Sequence, residues 1–131
     1  MLGLKYYIMF TDEKTGIKIY ADLDSSVSHA TLRPFDLVHA FLPVIRDTPE
    51  YVQILPLFPA YAMEDSDAEF WDSSECSFLV NETLFDILGL YAPEDYYFGC
   101  TEGDGSDFGY WKHEDEVRMY YGSGASTIFE Y

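Results

Sequence analysis

Lysine and arginine are missing from positions 47–111, a window of 65 residues between Arg46 and Lys112. A domain of average composition would place roughly eight basic side chains in a window of that length. The same window carries 15 aspartates and glutamates, and the whole chain has a formal charge of -17. Direct nucleic-acid binding is therefore excluded, because phosphate contacts need several clustered cations on one face. An anionic membrane surface is repelled for the same reason, and a cationic partner is favoured.

Other scarcities narrow the chemistry. No apolar run approaches the roughly 18 residues of a membrane span, and Met1–Phe10 has neither the basic region nor the small-residue cleavage site of a secretory signal. These features read as a soluble protein of the cytoplasm. Only two cysteines occur, Cys76 and Cys100, without the close spacing of a zinc knuckle or a redox dithiol. They read as reduced thiols; a disulfide between them would require export. Gly-x-Ser-x-Gly, zincin and catalytic-cysteine patterns are lacking, and no glycine-rich stretch is followed by the lysine of a phosphate loop. The expectation is a protein that is not an enzyme and takes no cofactor.

Aromatic residues are abundant instead. They make up 18% of the chain, with 12 tyrosines, which argues against an acidic disordered chain and for a packed interior. A length of 131 residues suits one domain, spanning 1–131, able to bury about two thirds of its unfolded surface. Charge is unevenly spread. Residues 1–50 hold seven acids against five bases, whereas residues 51–131 hold 17 against two. The first part reads as scaffold and the second as working surface.

The pattern of apolar residues predicts an α+β fold. Leu4–Phe10 and Ile17–Ala21 form an opening hairpin around the polar Thr11–Gly16, and Asp22–Ser28 is a polar connection. Phe35, Val38, His39, Leu42 and Ile45 fall at helical spacing behind Pro34, with Thr31 or Arg33 preceding it; Pro43 should kink or shorten that helix. Thr48-Pro49-Glu50 starts a second helix, with Thr48 as N-cap, limited by Pro56 and Pro59. Asn81 is expected to cap a third, amphipathic helix through Leu84, Phe85, Leu88 and Tyr91. Tyr96–Cys100 and Phe108–Lys112 flank a glycine and acid turn, as Val117–Tyr121 and Thr127–Tyr131 flank Gly122–Ser126. These strands form a meander that joins the opening hairpin in one mostly antiparallel sheet, with the helices on one face.

Three acidic clusters are candidate contact sites. Glu64, Asp65, Asp67, Glu69, Asp72 and Glu75 lie in a base-free segment around Phe70 and Trp71. A helix would align Asp65, Glu69 and Asp72, but like charges at that spacing make a loop or short helix equally consistent. Glu102, Asp104 and Asp107 occupy the turn after Cys100. That turn superficially resembles a calcium loop, but lacks the alternating ligands and the terminal glutamate of an EF-hand. A hairpin turn using Gly103 and Gly105 for positive φ is favoured. A third acidic run, Glu114, Asp115 and Glu116 behind His113, has too few spaced imidazoles for a metal site and reads as a solvated turn.

Adjacent aromatic pairs add apolar anchors. In Tyr96-Tyr97 and Tyr110-Trp111 one member of each pair faces the core and the other faces out, so Tyr97 and Trp111 stand among acids. Such a surface suits a basic groove through ion pairing and cation–π contact. Carboxylates on a strand, about 6.6 Å apart on one face, would also approximate a row of phosphates. The expected function is that of an acidic inhibitor that mimics DNA and occupies the basic groove of a nuclease or CRISPR effector, as phage anti-CRISPR and anti-restriction proteins do. Two alternatives stand beside it: an immunity protein against a basic toxin nuclease, and a small hydrolase or metal-dependent enzyme with paired carboxylates. A monomer and a dimer are both compatible with the sequence.

Overall fold

The computed structural model describes residues 9–113. Antiparallel strands and short helices share one hydrophobic core, so the α+β expectation holds. Strands β1 (Phe10–Thr11) and β2 (Lys18–Ile19) pair as a short opening hairpin, with Phe10 opposite Ile19, while positions 4–8 of the expected first strand lie outside the described residues. Their turn is closed by Asp12, whose carboxylate accepts from the Thr15 amide and hydroxyl, and by Gly16 at φ 78°. Strands β4 (Tyr96–Thr101) and β5 (Asp104–Lys112) form the expected second hairpin. Two sheets result rather than one, because β5 takes its other neighbour from a different place.

That neighbour is β3 (Ser26–Ser28), inside the segment expected to be a polar connection. Its partnership rests on backbone geometry rather than on apolar residues. Asp24, at φ 56°, turns the chain so that its amide donates to the Tyr110 carbonyl at 2.8 Å, and its carboxylate accepts from the Tyr96 hydroxyl and the Lys112 amide. Gly109 then lets the Ser25 carbonyl approach β5; a Cβ at Gly109 would collide with that oxygen.

The described residues include five short α-helices, of which Pro34–Phe41 packs against β3 and Phe85–Leu90 against β4. Helix α1 (Pro34–Phe41) begins with Pro34 at its first position and continues as a 3-10 turn at Leu42–Ile45. Arg33 occupies its N-cap, while the Thr31 hydroxyl donates to Asp36 in the first turn. Helix α2 (Pro49–Ile54) starts as read from the sequence, with the Thr48 hydroxyl accepting from the Tyr51 amide. After α3 (Ala60–Met63) the chain turns repeatedly until α4 (Ser74–Phe78). Ser73, not Asn81, is the cap that starts the long helix: its hydroxyl accepts from the Cys76 amide at 3.0 Å. Asn81 lies inside a π-helical segment, Leu79–Leu84, that joins α4 to α5 (Phe85–Leu90). Among the described residues no helix is long and apolar enough to cross a membrane.

Phe41 on α1 is the hinge of the core. Its ring meets Phe85, Phe98 and Phe108 edge-on at centroid distances of 5.6, 5.2 and 5.7 Å. Edge-to-face pairs contribute about 0.5–1.5 kcal/mol each beyond their burial. Phe98 and Phe108 come from β4 and β5, so this cluster fixes which face of the sheet the helices cover. Tyr110, fully buried on the same face, donates its hydroxyl to the Leu88 carbonyl at 2.7 Å and meets Phe10 of the opening hairpin. Strand alternation then turns Tyr97 and Trp111 outward, as the sequence implied. The strands expected at Val117–Tyr121 and Thr127–Tyr131 lie outside the described residues.

Gly109→Ala should destabilise the protein by roughly 1–3 kcal/mol, the usual cost of overpacking, because the obstructing atom is backbone. Gly105→Ala, where a Cβ meets nothing within 4 Å, is expected to change stability by no more than about 0.5 kcal/mol. Urea-unfolding midpoints of the two variants test the contrast.

Candidate anionic docking face

The acidic segment is organised by its one tryptophan. Trp71 is 5% exposed, and its indole N–H is shared between the Ala62 carbonyl at 3.0 Å and the Asp65 carbonyl at 2.9 Å. Its ring packs edge-on against Phe35 of α1 and Phe70, and Phe70 reaches Phe58. The backbone from Met63 to Ser73 therefore loops around a fixed aromatic ring. Successive turns carry it: Asp65 to Ala62, Ala68 to Asp65, Trp71 to Ala68 and Ser73 to Phe70. Only Glu69–Asp72 makes a 3-10 turn, so Asp65, Glu69 and Asp72 do not share a helical face. Mutual repulsion favours this open path over a helix that would stack them.

All six carboxyl-bearing residues of the segment, Glu64, Asp65, Asp67, Glu69, Asp72 and Glu75, are exposed. Among the described residues, hydrogen bonds divide the acids into two kinds. Asp47, Glu50, Asp24, Asp36, Asp107 and Asp12 accept from the hydroxyls of Tyr20, Tyr91, Tyr96, Thr31, Ser26 and Thr15 respectively. In the acidic segment only Asp65 accepts a hydrogen bond, from the Asp67 amide. Glu64, Asp67, Glu69, Asp72 and Glu75 are displayed to solvent without one. Neutral hydroxyls thus do the work that lysine and arginine do elsewhere, and they account for part of the tyrosine excess. Arg46 is used differently, with its guanidinium carbon 3.8 Å from the centre of the Tyr20 ring.

The second cluster sits at the tip of the β4–β5 hairpin. Glu102 and Asp104 are exposed, and Asp104 is held by the Ser106 amide and hydroxyl, which keep its carboxyl below the usual carboxylate range. Asp107 is half-buried and bonded to Ser26, so it belongs to the sheet rather than to the tip. Of the two turn glycines only Gly103 takes a positive φ, 92°. The described strands make no row of carboxylates: β4 has none, and the two on β5, Asp104 and Asp107, flank a break in the ladder register and are tied to Ser106 and Ser26 respectively. No group of three or more histidine, cysteine or acid side chains among the described residues could hold a metal ion. Glu114, Asp115 and Glu116 lie outside the described residues.

Outward from the sheet, Trp111 lies across the strip left by Gly99 and Gly109, which stand opposite each other in the register. Its indole N–H donates to the Gly99 carbonyl at 2.9 Å. Tyr97, opposite Trp111, donates its hydroxyl to the Cys100 carbonyl and packs at a tilt on His113, with ring centroids 5.1 Å apart. With Asp24, Glu102 and Asp104, the side chains of Trp111, Tyr97 and His113 line a cleft of about 800 Å³.

Four residues outside the expected contact set also matter. His39 bridges α1 and α3, one ring nitrogen 2.8 Å from the Phe35 carbonyl and the other 2.9 Å from that of Met63, at the threshold of the acidic segment. Phe78 is 62% exposed on α4, beyond Glu75 and ahead of Glu82. No sequence signal singled it out; only the fold shows it facing water. Cys76 is a free, buried thiol, pushed up by burial and by Asp72 and Glu75, while Cys100 is free and exposed.

Trp71→Phe keeps most of the ring but removes the shared donor. It should cost about 1–3 kcal/mol in urea unfolding and speed amide exchange across residues 64–72 relative to the sheet. The tyrosines set an alkaline limit. Tyr91 and Tyr110 are raised above the ordinary tyrosine range, both first by burial and Tyr91 also by Glu50; Tyr20 is raised first by its bond to Asp47. An unfolded tyrosine loses its proton near pH ~10, where the folded residue still holds it. Above that pH the unfolded state binds fewer protons, so stability present at neutral pH declines as pH rises. Tyr91→Phe should flatten that decline when unfolding midpoints are compared from neutrality to about pH 12. Comparison with protein-family models, curated proteins and solved structures finds no match to this chain.

Proposed function

We propose that this protein is a non-enzymatic inhibitor that presents carboxylates in place of nucleic-acid phosphates to the basic groove of a nuclease or CRISPR effector. The observation that carries this reading is the display of Glu64, Asp67, Glu69, Asp72 and Glu75 without hydrogen-bond partners, on a segment anchored by a buried tryptophan. A backbone already anchored by the buried ring need not be ordered on docking, and the field of its carboxylates steers a cationic partner toward them. The encounter is placed in the cytoplasm, where Cys76 and Cys100 stay reduced. The exposed Phe78 beside this segment supplies an apolar anchor of the kind that concentrates binding energy at interfaces. A toxin nuclease has the same basic groove, so an immunity protein would present the same chemistry.

Competition tests the reading. A partner captured from lysate should release this protein when duplex DNA or guide RNA is added, and its affinity should fall steeply with salt. Reversing four charges, Glu64→Lys, Asp65→Lys, Asp67→Lys and Glu69→Lys, should weaken binding by about fourfold or more, since exposed pairs contribute about 0.2–1 kcal/mol each, while far-ultraviolet dichroism stays that of a folded chain. Salt-insensitive binding, unchanged in the fourfold variant and indifferent to nucleic acid, would overturn it.

A further inference from the structure

The cleft on the outer face of the β4–β5 hairpin combines an aromatic floor with an acidic rim, and its chemistry is more selective than charge alone. Trp111 is half-buried and immobilised, with its indole N–H committed to Gly99 and its ring lying against the bare backbone at Gly109. A hypothetical Cβ on Gly109 would stand only 3.1 and 3.2 Å from two of the indole carbons, which shows how closely the ring is seated. The ring is seated on the strand backbone and contributes to the lining of the cleft of about 800 Å³. Glu102 and Asp104 stand exposed on the rim, and Asp24 closes another side. Asp24 and Asp104 already accept hydrogen bonds from neighbours, whereas Glu102 accepts none among the described residues. Lys112 also lines the cleft, leaving three carboxylates against one ammonium.

We infer that this cleft receives an arginine side chain of a basic partner segment, its guanidinium stacked on the Trp111 indole and paired with the Glu102 carboxylate. A planar, weakly hydrated guanidinium stacks on an indole and forks onto a carboxylate, whereas a compact ammonium does neither as well. The cleft is several times larger than one side chain, so it accommodates the backbone that bears the arginine. This inference rests on the reading of the protein as a mimic of nucleic acid, since arginine is the residue that nucleic-acid grooves offer most readily to phosphate. It adds that recognition is arginine-selective at this place, which an evenly anionic surface would not be.

The test is a titration of the full-length, isotope-labelled protein with a glycine–arginine repeat peptide and its glycine–lysine counterpart, read by nuclear magnetic resonance. The Trp111 indole N–H resonance should shift saturably, and the arginine peptide should bind about two- to fivefold tighter than the lysine peptide, the size of an exposed cation–π contact. Trp111→Leu should abolish that preference. Because Trp111 also covers Gly99 and Gly109, the exposed Glu102→Gln serves as a second variant and should weaken arginine binding without altering the unfolding midpoint. Equal affinity for the two peptides, or shifts confined to amides of residues 64–75 with Trp111 unmoved, would overturn the inference. The latter result leaves the mimic reading standing, because that reading is decided by competition with nucleic acid.

Discussion

Carboxylates without cations to pair with must be held in place by other means, and here the shared hydrogen bond of the Trp71 indole does much of that holding. Two carboxylates about 6 Å apart in water repel by roughly 0.7 kcal/mol, and by less in salt. Burying a side chain such as Phe70 contributes about 1.5–3 kcal/mol. The aromatic layer of Phe35, Phe58, Phe70 and Trp71 therefore outweighs the repulsion between any neighbouring pair of acids above it. Without the indole donor, the Ala62 and Asp65 carbonyls would lose the group that ties the start of the segment to its end.

Hydroxyl groups solve the same problem for the acids that are not displayed. A tyrosine hydroxyl is a neutral donor on a large apolar body, so one residue both fills space and satisfies a carboxylate. Tyr91 does this for Glu50, and Tyr20 for Asp47 while its ring accepts Arg46. The molecule can thus remain poor in lysine and arginine without leaving its partly buried acids unbonded. The choice has a consequence for pH. Stability secured through phenolic protons is insensitive to mild changes around neutrality and fails only in strong alkali.

Local signals in the sequence located some elements and not others, for identifiable reasons. Pro34 and the Thr48-Pro49 pair mark helix starts because proline's locked φ and missing amide act within a single residue. The β4–β5 hairpin was legible from aromatic strands around a glycine turn. Ser26–Ser28 was not, because a strand of three mostly polar residues has no hydrophobic period, and its place depends on the absent side chain of Gly109, 81 to 83 positions away. Asn81 misled because the preference for a cap is a tendency of residue type; Ser73 holds the actual cap, and the π turn absorbs Asn81 into the helix interior. For the site, charge counting found the acidic segment but could not separate displayed acids from bonded ones. Asp107 and Glu102 are alike in sequence context, yet Ser26 draws one into the sheet and leaves the other at the tip.

That separation bears on the proposal that this protein acts as a decoy for nucleic acid. An anionic surface whose acids are all tied by neighbouring hydroxyls has part of its charge already solvated by the fold, and a partner must break those bonds to use it. Here the bonded acids lie mainly before residue 51 and in the sheet, where they serve the scaffold, and the acids of residues 64–75 remain open apart from Asp65. A groove evolved for phosphates offers donors that make their bonds at once to such carboxylates, with only water to displace. The tyrosine, serine and threonine hydroxyls thus set which acids serve the scaffold, while the exposed acids left without a hydrogen bond among the described residues include Glu82, Asp86, Glu94 and Glu102 as well as those of residues 64–75.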